Sequence, residues 1–114
     1  MKRNQLKQKW QAGEATLNGW LSIASGFSAE VMAAQGFDSI VIDTQHGAIG
    51  YSDMLQMLQS VSAYDVTPMV RVPWLDPAAI MKAMDAGAYG IICPMVNNRA
   101  QAEELVSYLS LIHI

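Results

Sequence analysis

The chain has 114 residues, of which 52% are hydrophobic and 15% are charged, and its formal net charge is −3. This composition provides enough apolar material for the core of one globular domain and argues against intrinsic disorder. The net charge is acidic, and the sequence shows no basic patch of the kind that binds nucleic acids or anionic membranes. Neither is therefore an expected partner. No run of about 18 apolar residues occurs, and the single cysteine, Cys93, has no disulfide partner. We therefore expect a cytoplasmic protein.

The sequence predicts four strands, each followed by a helix. The strands are expected at residues 17–23, 40–42, 67–73 and 89–94, and the helices at residues 28–36, 52–63, 76–87 and 97–109. Ser28 is expected to cap the first of these helices. The basic residues that precede the first strand are expected to form a solvated leader.

Strand–helix units that repeat roughly every 20 to 25 residues predict an α/β fold with parallel strands and right-handed crossovers. Two architectures fit this pattern: a small open doubly wound sheet, or the first four βα units of a (β/α)8 TIM barrel. The pattern alone does not separate them. The barrel interpretation implies a truncated chain, because a whole barrel needs about 250 residues.

The stretch at residues 37–50 carries three of the residues that could perform chemistry. An apolar strand there ends in Asp43, and Gln45 and His46 follow directly. The next predicted strand carries Arg71, and the first carries Trp20. Because active sites on parallel sheets form at the carboxyl ends of the strands, we expect these residues to belong to one site.

Arg71 lies between Val70 and Val72 in an apolar strand, where its guanidinium needs an anionic partner. One interpretation is that Arg71 binds a substrate carboxylate or a developing enolate oxygen. The other is an internal salt bridge to Asp43 on the neighbouring strand. The two interpretations do not exclude each other.

His46 stands in a loop after a strand, where an imidazole suits general acid–base catalysis. Most single loop histidines are ordinary surface residues, but the nearby Asp43 and Arg71 favour the catalytic interpretation. Asp85, near the end of the third predicted helix, either orients this imidazole or is a solvated charge beside Lys82. Spacing alone favours the solvated charge.

The residues that could support a cofactor are few. Beyond the leader the chain has one lysine, Lys82, in the middle of a predicted helix. A Schiff-base mechanism needs a desolvated lysine in the site and is therefore not expected. A metal-stabilised enolate needs two or more oxygen ligands on neighbouring strand ends, and only Asp43 qualifies. The sequence thus does not contain a full metal site.

Seven short motifs follow one another along the chain: GWLS at 19–22, SAE at 28–30, GFD at 36–38, IDTQHG at 42–47, VRVPW at 70–74, DAGA at 85–88 and PMVN at 94–97. In this order and spacing, the chain resembles the N-terminal half of the HpcH/HpaI aldolase family. These are the metal-dependent (class II) 2-oxo-acid aldolases related to the citrate lyase β subunit.

The resemblance implies a (β/α)8 barrel that assembles as a homo-oligomer, usually a hexamer. It implies reversible retro-aldol cleavage of 4-hydroxy-2-oxo acids, such as 4-hydroxy-2-oxoheptanedioate, to pyruvate or a related 2-oxo acid and an aldehyde. It also implies a divalent metal cofactor, which is magnesium, manganese or cobalt.

By the same resemblance, His46 is the catalytic acid–base residue and Asp85 is its partner. Arg71 binds the oxo acid and stabilises the enolate oxygen. Asp43 supports the site, and Trp20 lines the substrate pocket.

Gln45 stands where many members of the family have a glutamate before the histidine, which affects the expected substrate preference more than the reaction class. The family's metal ligands come from later strands, so we expect none within residues 1–114. We expect the family domain at residues 17–108 and a non-native tail at residues 109–114 of a truncated chain. The alternative to an aldolase is a non-catalytic half-barrel fragment that folds or associates through its open strand edges without activity.

Overall fold

The computed structural model describes residues 2–110, and the predicted α/β fold is confirmed. The strands are β1 (Asn18–Leu21), β2 (Ser39–Asp43), β3 (Thr67–Arg71) and β4 (Gly90–Ile92). The helices are α1 (Gln5–Gln11), α2 (Gly26–Ala33), α3 (Tyr51–Val61), α4 (Pro77–Asp85) and α5 (Arg99–Leu109). No helix in this range is long and apolar enough to cross a membrane.

The four strands form one parallel sheet in the order β1-β2-β3-β4. We call the end of the sheet where the strands begin the amino edge, and the end where they finish the carboxyl edge. At the carboxyl edge, the third and fourth strands end earlier than the sequence predicts. Pro73 and Pro94 have no N–H group with which to continue the pairing.

One face of the sheet packs against helices α2, α3 and α4. Because side chains alternate across a strand, Ile40, Ile42 and Val70 lie on this face. They form a buried cluster with helix residues Ala29, Ala33, Met54, Met57, Leu58, Val61, Ile80 and Ala83. Burial of this apolar surface is the main force that holds the helices on the sheet.

The opposite face of the sheet is covered at its centre by α1. Leu6 of this helix is buried and packs with Val41 of β2 and Met69 of β3. The prediction of a solvated leader is therefore wrong. Since Leu6 is the one buried residue of α1, the helix has no apolar periodicity that sequence analysis could detect.

Polar contacts anchor α1 at the amino edge. Lys9 forms an ion pair with Asp38, which directly precedes β2. The Asn4 side chain donates to the carbonyl of Tyr89, just before β4, at 3.1 Å. These contacts tie α1 to the residues just before β2 and β4, at the amino edge.

Side-chain caps begin three of the four helices that follow strands, namely α2, α4 and α5. Asp76 caps α4 and is followed by Pro77, and Asn98 caps α5. In α2 the prediction was wrong by one turn. The cap is Ser25, whose hydroxyl accepts a hydrogen bond from the N–H of Ser28 at 3.1 Å.

Candidate active site

Asp43 and Arg71 are the last residues of β2 and β3, and the sheet register places them side by side at the carboxyl edge. Both lie on the same face as Val41 and Met69, opposite the face that packs against α2, α3 and α4. The Asp43 side chain is almost fully buried, while that of Arg71 is 23% exposed. The predicted salt bridge between them is confirmed.

This salt bridge is bidentate and is completed by an aromatic ring. Arg71 Nε donates to Asp43 Oδ1 at 3.0 Å, and Arg71 Nη2 donates to Oδ2 at 2.5 Å. Trp20 Nε1 also donates to Asp43 Oδ2, at 3.2 Å, and Arg71 Cζ lies 4.9 Å from the Trp20 ring centroid. A carboxylate and an indole ring therefore fix the plane of the guanidinium.

Asp43 also organises the loop that follows β2. Its Oδ1 accepts hydrogen bonds from the backbone N–H of Gln45 at 3.0 Å and of His46 at 3.3 Å. Burial raises the pKa of Asp43, but the hydrogen bonds from Arg71, Trp20 and these two N–H groups outweigh it and lower the pKa well below its usual value. Asp43 is therefore ionised near neutral pH, where it organises the site and does not transfer protons.

The loop after β2 presents His46 at the carboxyl edge. Thr44 fixes the start of this loop, because its N–H and its hydroxyl both donate to the Arg71 carbonyl, at 3.0 and 2.7 Å. Gly47 turns the chain directly after His46 with φ of 98°, a backbone conformation that favours glycine. The His46 side chain is exposed, so its imidazole is accessible beside the salt bridge.

Arg71 retains hydrogen-bond donors beyond those that Asp43 uses. A guanidinium has five N–H groups, and the salt bridge engages one on Nε and one on Nη2. The other three have no hydrogen-bond partner within residues 2–110. A partly exposed guanidinium with a fixed plane is suited to bind a carboxylate or an enolate oxygen. The salt bridge and the predicted anion binding are thus compatible.

Asp85 lies at the other end of the sheet from His46. It is the last residue of α4, which starts at the carboxyl edge after β3 and runs back to the amino edge. Tyr89, four residues later, donates its N–H to the carbonyl of Pro68 at the start of β3. A five-residue strand spans roughly 13 Å or more, so Asp85 does not contact the His46 of the same chain. Its side chain is exposed.

Sequence analysis missed two contributions to this site. Trp20 was predicted only to line a pocket, yet its indole N–H also binds Asp43. Thr44 was not identified at all, although the sequence carries its signal, a hydroxyl residue directly after the acid that ends the strand. Gln45 is half-buried, and the contact that links it to the site is made by its backbone N–H.

The described residues do not by themselves fit a divalent metal. Among residues 2–110, no three His, Cys, Asp or Glu side chains come together as a metal site. The two oxygens of Asp43, the best single candidate, already accept five hydrogen bonds. Little lone-pair capacity is left for a cation.

A cavity of about 490 Å³ lies at the amino edge, far from this chemistry. Its walls include Lys2, Ser62, Thr67, Gly87 and Tyr89. None of the residues at the carboxyl edge lines it. The candidate active site is therefore the open surface around the salt bridge and not the cavity.

The sequence is similar to one protein family and to relatives that are named as aldolases. The sequence profile of the family described as HpcH/HpaI aldolase/citrate lyase matches residues 18–113. The chain is 42% identical over 106 residues to a hydroxypyruvate/pyruvate aldolase of Rhizorhabdus wittichii, covering 93% of this chain and 42% of the relative. It is 35% identical over 105 residues to a 4-hydroxy-2-oxo-heptane-1,7-dioate aldolase of Salmonella dublin, covering 92% of this chain and 40% of the relative.

The fold is also similar to that of several solved structures. A HpcH/HpaI aldolase/citrate lyase family protein from Burkholderia cenocepacia superposes with a TM-score of 0.87 at 33% identity, over 93% of this chain and 42% of that one. A citrate synthase, SbnG, superposes with a TM-score of 0.84 at 35% identity, over 91% of this chain and 42% of that one. The chain thus spans about two fifths of the length of the proteins it matches.

Proposed function

Because the chain belongs to the HpcH/HpaI aldolase/citrate lyase family, we propose that it forms part of a carbon–carbon lyase that acts on 4-hydroxy-2-oxo acids. Two relatives named as aldolases of pyruvate, hydroxypyruvate and a 4-hydroxy-2-oxo diacid support this substrate class. The observation that carries the proposal is the Asp43–Arg71 pair beside an accessible His46 at one edge of a parallel sheet.

The proposed reaction is a retro-aldol cleavage. The 4-hydroxyl group loses its proton, the bond between C3 and C4 breaks, and C4 leaves as the aldehyde carbon. The electron pair of the broken bond passes into the enolate of pyruvate, or of a related 2-oxo acid. C3 then takes up a proton, so atoms and charge balance without an oxidant or reductant.

Arg71 is the residue that we assign to the oxo acid. Its unused N–H groups bind the carboxylate and the oxygen on which enolate charge develops. Trp20 supports this role, because its ring stacks on the guanidinium and its N–H binds Asp43. Asp43 holds the guanidinium in place before the substrate arrives, so little reorganisation is needed during the reaction.

His46 is the residue that we assign to proton transfer at the 4-hydroxyl group. Its backbone N–H donates to Asp43, so the residue that holds the guanidinium also holds the backbone of the loop that carries His46. The exposed side chain leaves room for a substrate hydroxyl within hydrogen-bond distance. Gln45, beside it, is assigned a supporting role.

The proposal includes a divalent cation, magnesium, manganese or cobalt, held by carboxylates that the described residues do not supply. Such a cation would withdraw charge from the 2-oxo group. It also includes closure of the parallel sheet into a (β/α)8 barrel. The neighbouring order of β1 to β4 and the family structures support that closure.

The second candidate function is a non-catalytic fragment that folds or associates without activity. Within residues 2–110, β1 and β4 each pair along one side only, which leaves two strand edges open. Open edges favour association with other chains. One assay separates the two candidates.

The test compares the 114-residue chain with a completed enzyme, in which residues 1–109 are joined to the remaining part of the Rhizorhabdus wittichii aldolase. We expect the completed enzyme to release pyruvate from a 4-hydroxy-2-oxo acid when magnesium, manganese or cobalt is added, and to lose this activity with a chelator. We expect the 114-residue chain to be inert under the same conditions. An inactive completed enzyme that is folded by circular dichroism would contradict the lyase proposal.

The same assay tests the role of His46. His46→Ala in the completed enzyme is expected to lower kcat roughly 10²-fold or more, the usual effect of removing a general acid–base group. Full activity of His46→Ala would exclude the acid–base assignment. His46→Ala should leave the circular dichroism spectrum unchanged, since its side chain is exposed and makes no described hydrogen bond.

We assign Asp85 as the positioning residue for His46 across a subunit boundary, since the two lie at opposite edges of one chain. This assignment fits a homo-oligomer, with a hexamer as the expected form. His46→Ala and Asp85→Ala chains of the completed enzyme, each impaired alone, are expected to recover about a quarter of wild-type activity when refolded together, because one site in four then combines two intact residues. No recovery in mixed oligomers would exclude the shared site.

A further inference from the structure

Thr44 makes a hydrogen bond that the pairing of two strands does not by itself supply. Its N–H donates to the Arg71 carbonyl at 3.0 Å, which continues the pairing of β2 with β3 by one residue. Any residue except proline can provide that N–H group. The Thr44 hydroxyl donates to the same carbonyl at 2.7 Å, the usual length of an O–H···O bond. This second bond depends on the side chain, and the proposed function gives it no role.

The carbonyl that accepts these two bonds belongs to a firmly held peptide group. The N–H of Val72, on the other side of that peptide group, donates to the Ile92 carbonyl at the end of β4 at 3.0 Å. The peptide group between Arg71 and Val72 is therefore held from β2 and from β4. A loop that is bound to it is bound to the same backbone that carries the guanidinium.

The loop that carries His46 is held mainly at its start. Thr44 and Gln45 are half-buried, whereas residues 46–48 are exposed. Besides the two bonds from Thr44, the N–H groups of Gln45 and His46 donate to Asp43 Oδ1, at 3.0 and 3.3 Å. The bond from His46 is the longest of the four and lies beyond the usual N–H···O range, and the bond from the Thr44 hydroxyl is the shortest. The Thr44 hydroxyl is thus a main restraint on this loop.

We propose that Thr44 is a positioning residue for His46 and that it acts through the hydrogen bond from its hydroxyl to the Arg71 carbonyl. The inference rests on the proposed function and adds a residue to it. Proton transfer at the 4-hydroxyl group must occur while Arg71 holds the oxo-acid end, so the loop and the end of β3 have to keep one relative position. In this role Thr44 contacts neither the substrate nor the imidazole.

The test compares Thr44→Ala and Thr44→Ser in the completed enzyme, two variants that differ from each other by the hydroxyl group alone. Thr44→Ala is expected to lower kcat about fivefold or more, an effect in the range of one lost neutral hydrogen bond. Its KM should stay within about twofold of the wild-type value, because Asp43 still holds the guanidinium that binds the oxo acid. Thr44→Ser keeps the donor, so its kcat should stay within about twofold of wild type.

A double variant separates positioning of His46 from a general loss of structure. The His46→Ala enzyme has no imidazole to misplace, so the addition of Thr44→Ala is expected to lower its kcat by less than about twofold. If Thr44→Ala lowered kcat as much in that enzyme as in the wild type, the two effects would be independent and the inference would be overturned.

Thr67→Ala is the matched control, since Thr67 is the first residue of β3 and lies at the amino edge. It should leave kcat within about twofold of wild type, and circular dichroism checks that each variant is folded. Wild-type kcat in Thr44→Ala, or a Thr44→Ser enzyme as impaired as Thr44→Ala, would overturn the inference and leave the lyase proposal intact. A folded completed enzyme that cleaves no 4-hydroxy-2-oxo acid even without these substitutions would overturn both.

Discussion

Arg71→Lys in the completed enzyme is expected to lower kcat/KM for cleavage of a 4-hydroxy-2-oxo acid by roughly 10²- to 10³-fold. Lysine keeps the charge, but its ammonium group lacks the planar fork with which the guanidinium donates in parallel to both Asp43 oxygens and directs its other N–H groups at a substrate. Loss of carboxylate binding raises KM, and loss of enolate stabilisation lowers kcat. Steady-state measurement of pyruvate release over a range of substrate concentrations separates these two effects.

The control for this variant is Arg99→Lys. Arg99 is 91% exposed, and its ion pair with Glu103 lies on the helix surface, where such pairs contribute little. We expect its kcat/KM to stay within about twofold of the wild-type value, as is usual for a surface substitution. An Arg71→Lys enzyme within threefold of wild type would rule out a role for the guanidinium in binding the oxo acid.

The contact between Asp43 and Arg71 could be predicted from the sequence, because both residues directly follow buried apolar positions near the ends of consecutive strands. Neighbouring parallel strands then place them at the same edge. The side-chain partners were harder to predict. The indole of Trp20 reaches Asp43 from β1, and this contact depends on sheet register, which the sequence does not specify.

The position of Asp85 could have been inferred from the sequence. A helix that follows a strand in a βα unit runs back to the amino edge, so its last residue cannot face the loop that carries His46. The α1 helix, in contrast, was not predictable. Its one buried residue, Leu6, is held by a tertiary contact with Val41 and Met69 and leaves no periodic pattern.

The contribution of the site to the stability of the folded protein can be measured without substrate. Asp43→Asn is expected to lower the free energy of unfolding by about 3 kcal/mol, because it breaks a buried ion pair whose other member is partly exposed. An asparagine NH2 group at the place of Oδ2 would also face the N–H donors of Trp20 and Arg71. Urea unfolding of the 114-residue chain and of the completed enzyme measures the change. Asp65→Asn, at an exposed position, is the control and should change the value by less than about 0.5 kcal/mol.

The pH dependence of this difference in unfolding free energy tests whether the charge of the Asp43 carboxylate causes it. The pKa of Asp43 is lowered in the folded protein, so its ionised form contributes stability above its unfolded pKa of about 4, and that stability is lost as the pH falls towards the folded pKa. The gap in unfolding free energy between wild type and Asp43→Asn is therefore expected to be constant from pH 7 to about pH 5 and to narrow below pH 4. A gap that stays constant down to pH 2 would mean that Asp43 acts through its shape and not through its charge.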